Sequence, residues 1–183
     1  MTDLGLVAWS SRRRHRRCGR WGLLASGVGG LGALALAARP PARPQLIYNA
    51  SASAPIGYYW VRPASRLQRG ELVLVRPPPR VAAFAAERGY LPASVLLVKR
   101  IAALGGDRVC SDGSRLAINA RPVVRLLRAD RLGRPLPAWI GCRPLRPYEA
   151  LLLMDDVAAS FDSRYFGPVS VRAVVGRLDR AGR

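Results

Sequence analysis

The chain has 183 residues, half of them apolar, with 30 basic against 11 acidic side chains and a net charge of +19, room for one ordinary domain plus a short accessory segment. Its one histidine, His15, lies in an arginine-rich tail, which excludes a Ser-His-Asp or Cys-His site and any histidine-based metal centre. Six arginines and one aspartate fall in residues 1–38, so the remainder keeps 24 basic against 10 acidic residues and suits an anionic membrane surface or an acidic partner as well as DNA.

Residues 1–20 form a basic tail, and residues 21–38 carry no charge. Eighteen helical residues reach roughly 27 Å, about the thickness of a hydrocarbon core. The basic flank before this segment predicts the tail on the cytoplasmic side and the bulk of the chain outside. Two readings stay open: a retained single-pass transmembrane anchor, or a secretory signal cleaved after Ala35-Leu-Ala37. Both export the domain. A Pro-rich linker is expected over 39–48, and a β domain over 49–183.

Beyond the linker, short apolar runs predict strands at Gly57–Val61, Glu71–Val75, Val95–Ile101, Arg115–Asn119, Ala150–Met154 and Val169–Val175. One helix is expected over Arg80–Arg88, stopped by Gly89. The stretch 110–148 is rich in Arg, Pro and Gly and lacks periodicity, so it reads as an excursion from the sheet. Cys110 and Cys142 bracket it. In an oxidising compartment they are expected to bridge, closing a loop of about 33 residues worth about 3 to 4 kcal/mol; the alternative is two buried free thiols.

Lys99 is the only lysine. A guanidinium stays protonated at ordinary pH, whereas an ammonium in apolar surroundings can lose its proton and act as a base. On a strand, Val95, Leu97, Lys99 and Ile101 share one face, which flanks the amine with aliphatic carbon. The plainer alternative is a lysine snorkelling to water. A serine hydroxyl can be activated by such a neutral amine without histidine.

Three stretches fit that chemistry: Asn49-Ala-Ser-Ala-Ser-Ala-Pro-Ile-Gly-Tyr-Tyr59, Lys99-Arg-Ile-Ala-Ala-Leu-Gly-Gly-Asp107 and Ser160-Phe-Asp-Ser-Arg-Tyr-Phe-Gly-Pro168. Together, over about residues 45–176, they resemble the Ser-Lys signal peptidase family, in particular its conjugal-transfer, TraF-type branch. The resemblance implies Ser53 as nucleophile and Lys99 as general base, with the Ser51 hydroxyl and the Ser53 backbone N–H as oxyanion hole. It implies Ser160 as the group orienting the amine, and Asp162 and Arg164 as supports. One position departs: where the family commonly has Met-Gly-Asp, this chain has Met154-Asp155-Asp156.

The implied fold is all-β in the main: coiled antiparallel sheets with a small inserted cap behind one transmembrane helix. The implied enzyme is a membrane-anchored serine endopeptidase needing no cofactor and no metal, facing the periplasm from the cytoplasmic (inner) membrane. Its expected partners are an exported precursor such as a propilin, the cytoplasmic membrane, and the conjugation or type IV secretion machinery, with no nucleic acid. In this branch the acyl-enzyme can be resolved by a peptide amine, giving a cyclic product. Other readings are a general type I signal peptidase, a non-catalytic pilus-assembly scaffold, and a basic DNA-binding module.

Overall fold

The computed structural model describes residues 27–30 and 45–182; residues 27–30 are helical. The basic tail and most of the apolar segment lie outside the described residues, and among those described no helix is long and apolar enough to cross a membrane. The chain divides into two compact units, Met1–Ala42 and Arg43–Arg183. The second opens with strand β1 at Leu46–Asn49, so the expected linker over 39–48 runs three residues into the sheet.

Two antiparallel sheets make up this unit. The larger contains β1, β2 (Gly57–Arg62), β3 (Leu72–Val75), β4 (Leu97–Leu104), β9 (Glu149–Leu153), β10 (Val169–Ser170) and β11 (Val174–Arg180), in the order β1-β2-β11-β3-β4-β9-β10. The smaller contains β5 (Arg108–Asp112), β6 (Arg115–Ile118), β7 (Arg121–Arg125) and β8 (Ile140–Pro144), in the order β7-β6-β5-β8. Helix α1, Pro79–Glu87, has proline in its first turn, where no N–H is needed. Gly89, at φ 69°, follows its end.

Alternation along the central strands divides the core. Leu151 and Leu153 of β9 pack with Ala103, Val109, Leu116 and Tyr165, while Ala150 and Leu152 join Val73, Val75 and Ile101. A shift of register between Ile101 and Ala103 on β4 lets one strand serve both clusters.

The link from β10 to β11 dictates the shape of the large sheet. Ser170 and Val174 bound a single 3-10 turn, yet β9, β4 and β3 stand between the two strands. Laid flat, four strand spacings would separate them by about 19 Å, more than the roughly 14 Å that four extended residues span. The sheet therefore curls. The single strand expected over Val169–Val175 is broken here because the Ser170 side chain accepts the Arg172 N–H and turns the chain.

The excursion expected over 110–148 lies outside the large sheet, and much of it is the four-stranded sheet. Of its strands only β6 matches an expected one, Arg115–Asn119; β8, exposed at all five positions, and β7, exposed at three, leave little apolar face to read. Cys110 stands opposite Cys142, and the two are disulfide-bonded.

The turn from β4 to β5 joins the sheets. A Cβ on Gly105 would lie 2.6 Å from Pro147 Cα and 2.8 Å from Arg146 O, and Gly106 has φ 94°. Asp107, buried, accepts the Leu104 N–H at 2.9 Å, Asn119 Nδ2 at 2.8 Å and the Arg69 guanidinium. Burial alone would raise its carboxyl pKa, but these three donors hold it below the usual range. Gly105→Ala presses a methyl into backbone that cannot step aside, so it should lower the free energy of urea unfolding by about 2 to 3 kcal/mol; a change below about 0.5 kcal/mol would mean the two segments are free to separate.

Candidate active site

Ser51 and Ser53 lie in the loop between β1 and β2. The strands pair so that Asn49 faces Gly57, pinching residues 50–56 into a closed turn. Ser53 is half-buried, while Ala54 beside it is packed against Leu74, Val98 and Met154. Ser51 Oγ lies 2.9 Å from Ser53 Oγ and accepts the Ser53 backbone N–H at 3.2 Å.

Lys99 comes from the middle of β4, opposite Val73 of β3. Both are buried, with Lys99 only 2% exposed. Arg100 turns outward, where its guanidinium donates to Gly70 O. Lys99 Nζ lies 3.3 Å from Ser53 Oγ and 2.9 Å from Ser160 Oγ. Desolvation pushes its pKa from 10.5 down to about 8, the Asp162 carboxylate pulling upward and the Arg164 guanidinium adding to the fall. The amine therefore sheds its proton far more readily than a solvated lysine.

The third stretch forms a short helix, α2, over Ser163–Phe166, with Asp162 capping the Arg164 N–H. Asp162 and Arg164 make a two-pronged ion pair, Nε to Oδ1 at 2.8 Å and Nη2 to Oδ2 at 3.0 Å. Both side chains are essentially without solvent contact. The rest of their capacity goes to the chain preceding Ser160. Arg164 donates to Met154 O and Ala158 O, and Asp162 accepts the Met154 N–H. The pair thus grips both ends of the segment that carries Ser160 to the amine. Asp155 and Asp156 sit in the exposed turn from Met154 to Val157. Neither has positive φ, so the turn does not require the glycine it lacks.

The structure therefore brings Ser51, Ser53, Lys99 and Ser160 into one hydrogen-bonded chain, with Asp162 and Arg164 behind it. Cys110 and Cys142 belong to the other sheet. A model of the family described as signal peptidase, peptidase S26, matches residues 23–181.

The chain belongs to the signal peptidase family.

Among its relatives are a plasmid transfer protein TraF of Escherichia coli, 37% identical over 78% of this chain and 85% of that protein, and a probable conjugal transfer protein TraF of Sinorhizobium fredii, 30% identical over 95% and 94%. A crystal structure of a signal peptidase I from Enterococcus faecalis, 20% identical, superposes with a TM-score of 0.38 over 63% of this chain and 98% of that one. Family S26 is one of serine peptidases.

Two groups at the site were not singled out from sequence. Asn49 and Tyr59 are buried and bond to the backbone of the serine loop. Their signal was an asparagine and a tyrosine framing Pro55 and Gly57, but partners that are main-chain carbonyls leave no trace in a side-chain pattern.

The amine also leaves a mark on stability. Its folded-state pKa lies below that of the unfolded chain, so between about pH 8 and 10.5 the unfolded state holds more protons and this group's contribution to stability rises with pH. Below that window the full penalty of a buried ammonium is present. Lys99→Met should therefore be more stable than wild type at pH 7 relative to its standing at pH 10, the advantage shrinking across the window. Urea unfolding at several pH values measures this, and a pH-independent difference would place the proton elsewhere.

Proposed function

We propose that the protein is a serine endopeptidase of the conjugal-transfer branch, using Ser53 as nucleophile and Lys99 as general base. The observation that carries the reading is a lysine amine, stripped of water, within 3.3 Å of a half-buried serine hydroxyl and 2.9 Å of a buried one. The names of its relatives as conjugal transfer proteins support the branch. The substrate class proposed is an exported precursor, such as a propilin, with small residues before the scissile bond. The catalytic unit would work on the outer face of the cytoplasmic membrane, beside the conjugation machinery.

In the proposed reaction the neutral amine takes the Ser53 hydroxyl proton as Oγ attacks the scissile carbonyl carbon. The carbonyl oxygen gains the negative charge and is met by the Ser53 N–H and the Ser51 hydroxyl, which exchange their mutual contact for it. One such donor is worth roughly 3 kcal/mol of barrier. Collapse breaks the C–N bond, and the Lys99 ammonium protonates the leaving amine. The ester on Ser53 is then attacked by a water, or by a peptide amine, whose proton passes to Lys99; the C–O bond breaks and Lys99 returns that proton to the departing Ser53 Oγ. Ser160 orients the amine throughout, and the Asp162–Arg164 pair keeps Ser160 in place.

With a precursor peptide carrying Ala-x-Ala before the cleaved bond, Ser53→Ala and Lys99→Arg should both abolish turnover. Ser51→Ala should retain activity lowered about 100-fold. Wild-type kcat/KM should climb with pH and level off above about 8, because only the uncharged amine accepts the proton. Near wild-type turnover by Lys99→Arg would end the reading.

A further inference from the structure

We propose that Asn49 and Tyr59 are positioning residues, which fix the serine loop so that Ser53 Oγ and its backbone N–H face the reacting bond; the inference rests on the Ser-Lys reading above. Asn49 is 6% exposed and Tyr59 2%. Neither touches Lys99 or Ser160 among its hydrogen bonds, and both point into the inside of the loop. Asn49 Oδ1 accepts the Ser51 N–H at 3.2 Å. Its Nδ2 lies 3.0 Å from Ser51 O and 3.1 Å from both Ala54 O and Pro55 O. An amide nitrogen has two hydrogens, so one is shared among these carbonyls. Tyr59 Oη donates to Pro55 O at 2.7 Å.

These bonds tie main-chain groups on both sides of Ser53, two residues before it and one and two residues after it. With those groups engaged inward, the Ser53 N–H is left to point outward, towards Ser51 Oγ at 3.2 Å. The base needs no such help, because Lys99 lies on β4, which pairs with β3 at Lys99 itself and with β9 from Arg100 onward. The nucleophile rides on a loop, and its 3.3 Å approach to the amine depends on the inside of that loop. Only a carboxamide offers a donor and an acceptor there at once. An aspartate of the same shape would set a carboxylate against three carbonyl oxygens.

The test uses the full-length protein in detergent with a fluorogenic Ala-x-Ala peptide. Asn49→Asp should lose about 100-fold in kcat, as a displacement near 1 Å at a nucleophile does, with KM within about twofold. Tyr59→Phe, which keeps the ring and deletes one bond, should lose about 3- to 10-fold. In Tyr59→Phe, which adds no charge, the pH midpoint of activity should stay at the wild-type value, because the base is untouched, and in both variants the loss per folded molecule should persist well below the unfolding temperature. Wild-type kcat in either folded variant overturns the inference. So does a loss that merely tracks the unfolded fraction, or a shift of the pH midpoint in Tyr59→Phe. Should Asn49→Asp fail to fold, Tyr59→Phe decides alone. A wild-type protein that is as inert as Lys99→Arg overturns the Ser-Lys reading itself, an outcome distinct from an active wild type with unaffected Asn49 and Tyr59 variants.

Discussion

Everything at this site depends on one amine being kept dry. Lys99 occupies a strand with neighbours on both sides, where the residues around it are aliphatic: Val73 across the ladder, Leu97 and Ile101 two residues away along it, all buried. Such a position disfavours the charged form. An arginine there would stay charged, and the chain uses arginine at every other basic position outside the single histidine. The nearby ions pull in opposite directions, Asp162 raising and Arg164 lowering the amine's pKa. They act against each other, and burial, the largest of the three influences, sets the outcome.

The buried pair has a cost. Two charges taken from water are repaid only when geometry and further hydrogen bonds are nearly complete. Here Arg164 uses Nε, Nη1 and Nη2, and Asp162 uses both oxygens, largely on the backbone from Met154 to Ala158. A hydrophobic pair of similar volume would fill the space but could not hold those main-chain groups. The pair is therefore better understood as a fixture for the segment ending at Ser160 than as a source of net stability. It links the third sequence stretch to the amine without touching the nucleophile.

How much of this was legible in the sequence follows from where each interaction keeps its partners. Strands β2, β3, β4 and β9 showed because their apolar residues recur at strand spacing, and Lys99 stood out as the one lysine in such a run. Of the four-stranded sheet only β6 showed: exposed strands such as Ile140–Pro144 owe their place to neighbours, to the Cys110–Cys142 bond and to the Asp107 hub, not to an apolar face. The break after Ser170 was hidden for a related reason, since a side-chain cap on Arg172 outweighed a valine-rich run. Asn49 and Tyr59 stood in the first stretch without a role, because they act on main-chain groups that every sequence possesses.

In the proposed reaction a base held on a strand and a nucleophile carried on a loop make chemical sense together. A neutral amine has two N–H bonds and one lone pair. If one N–H is committed to Ser160 Oγ at 2.9 Å, the rotation of the amine is fixed and the lone pair is available to the Ser53 hydroxyl. The Ser53 hydroxyl is then drawn between two partners, Lys99 and Ser51, at 3.3 Å and 2.9 Å. A substrate carbonyl that recruits the Ser51 hydroxyl to its oxygen removes one of these competitors and leaves the Ser53 proton directed at the amine. In the proposed mechanism the same movement that builds the oxyanion hole therefore activates the nucleophile, which ties catalysis to the arrival of a bond to cut and leaves the resting serine engaged with its neighbour.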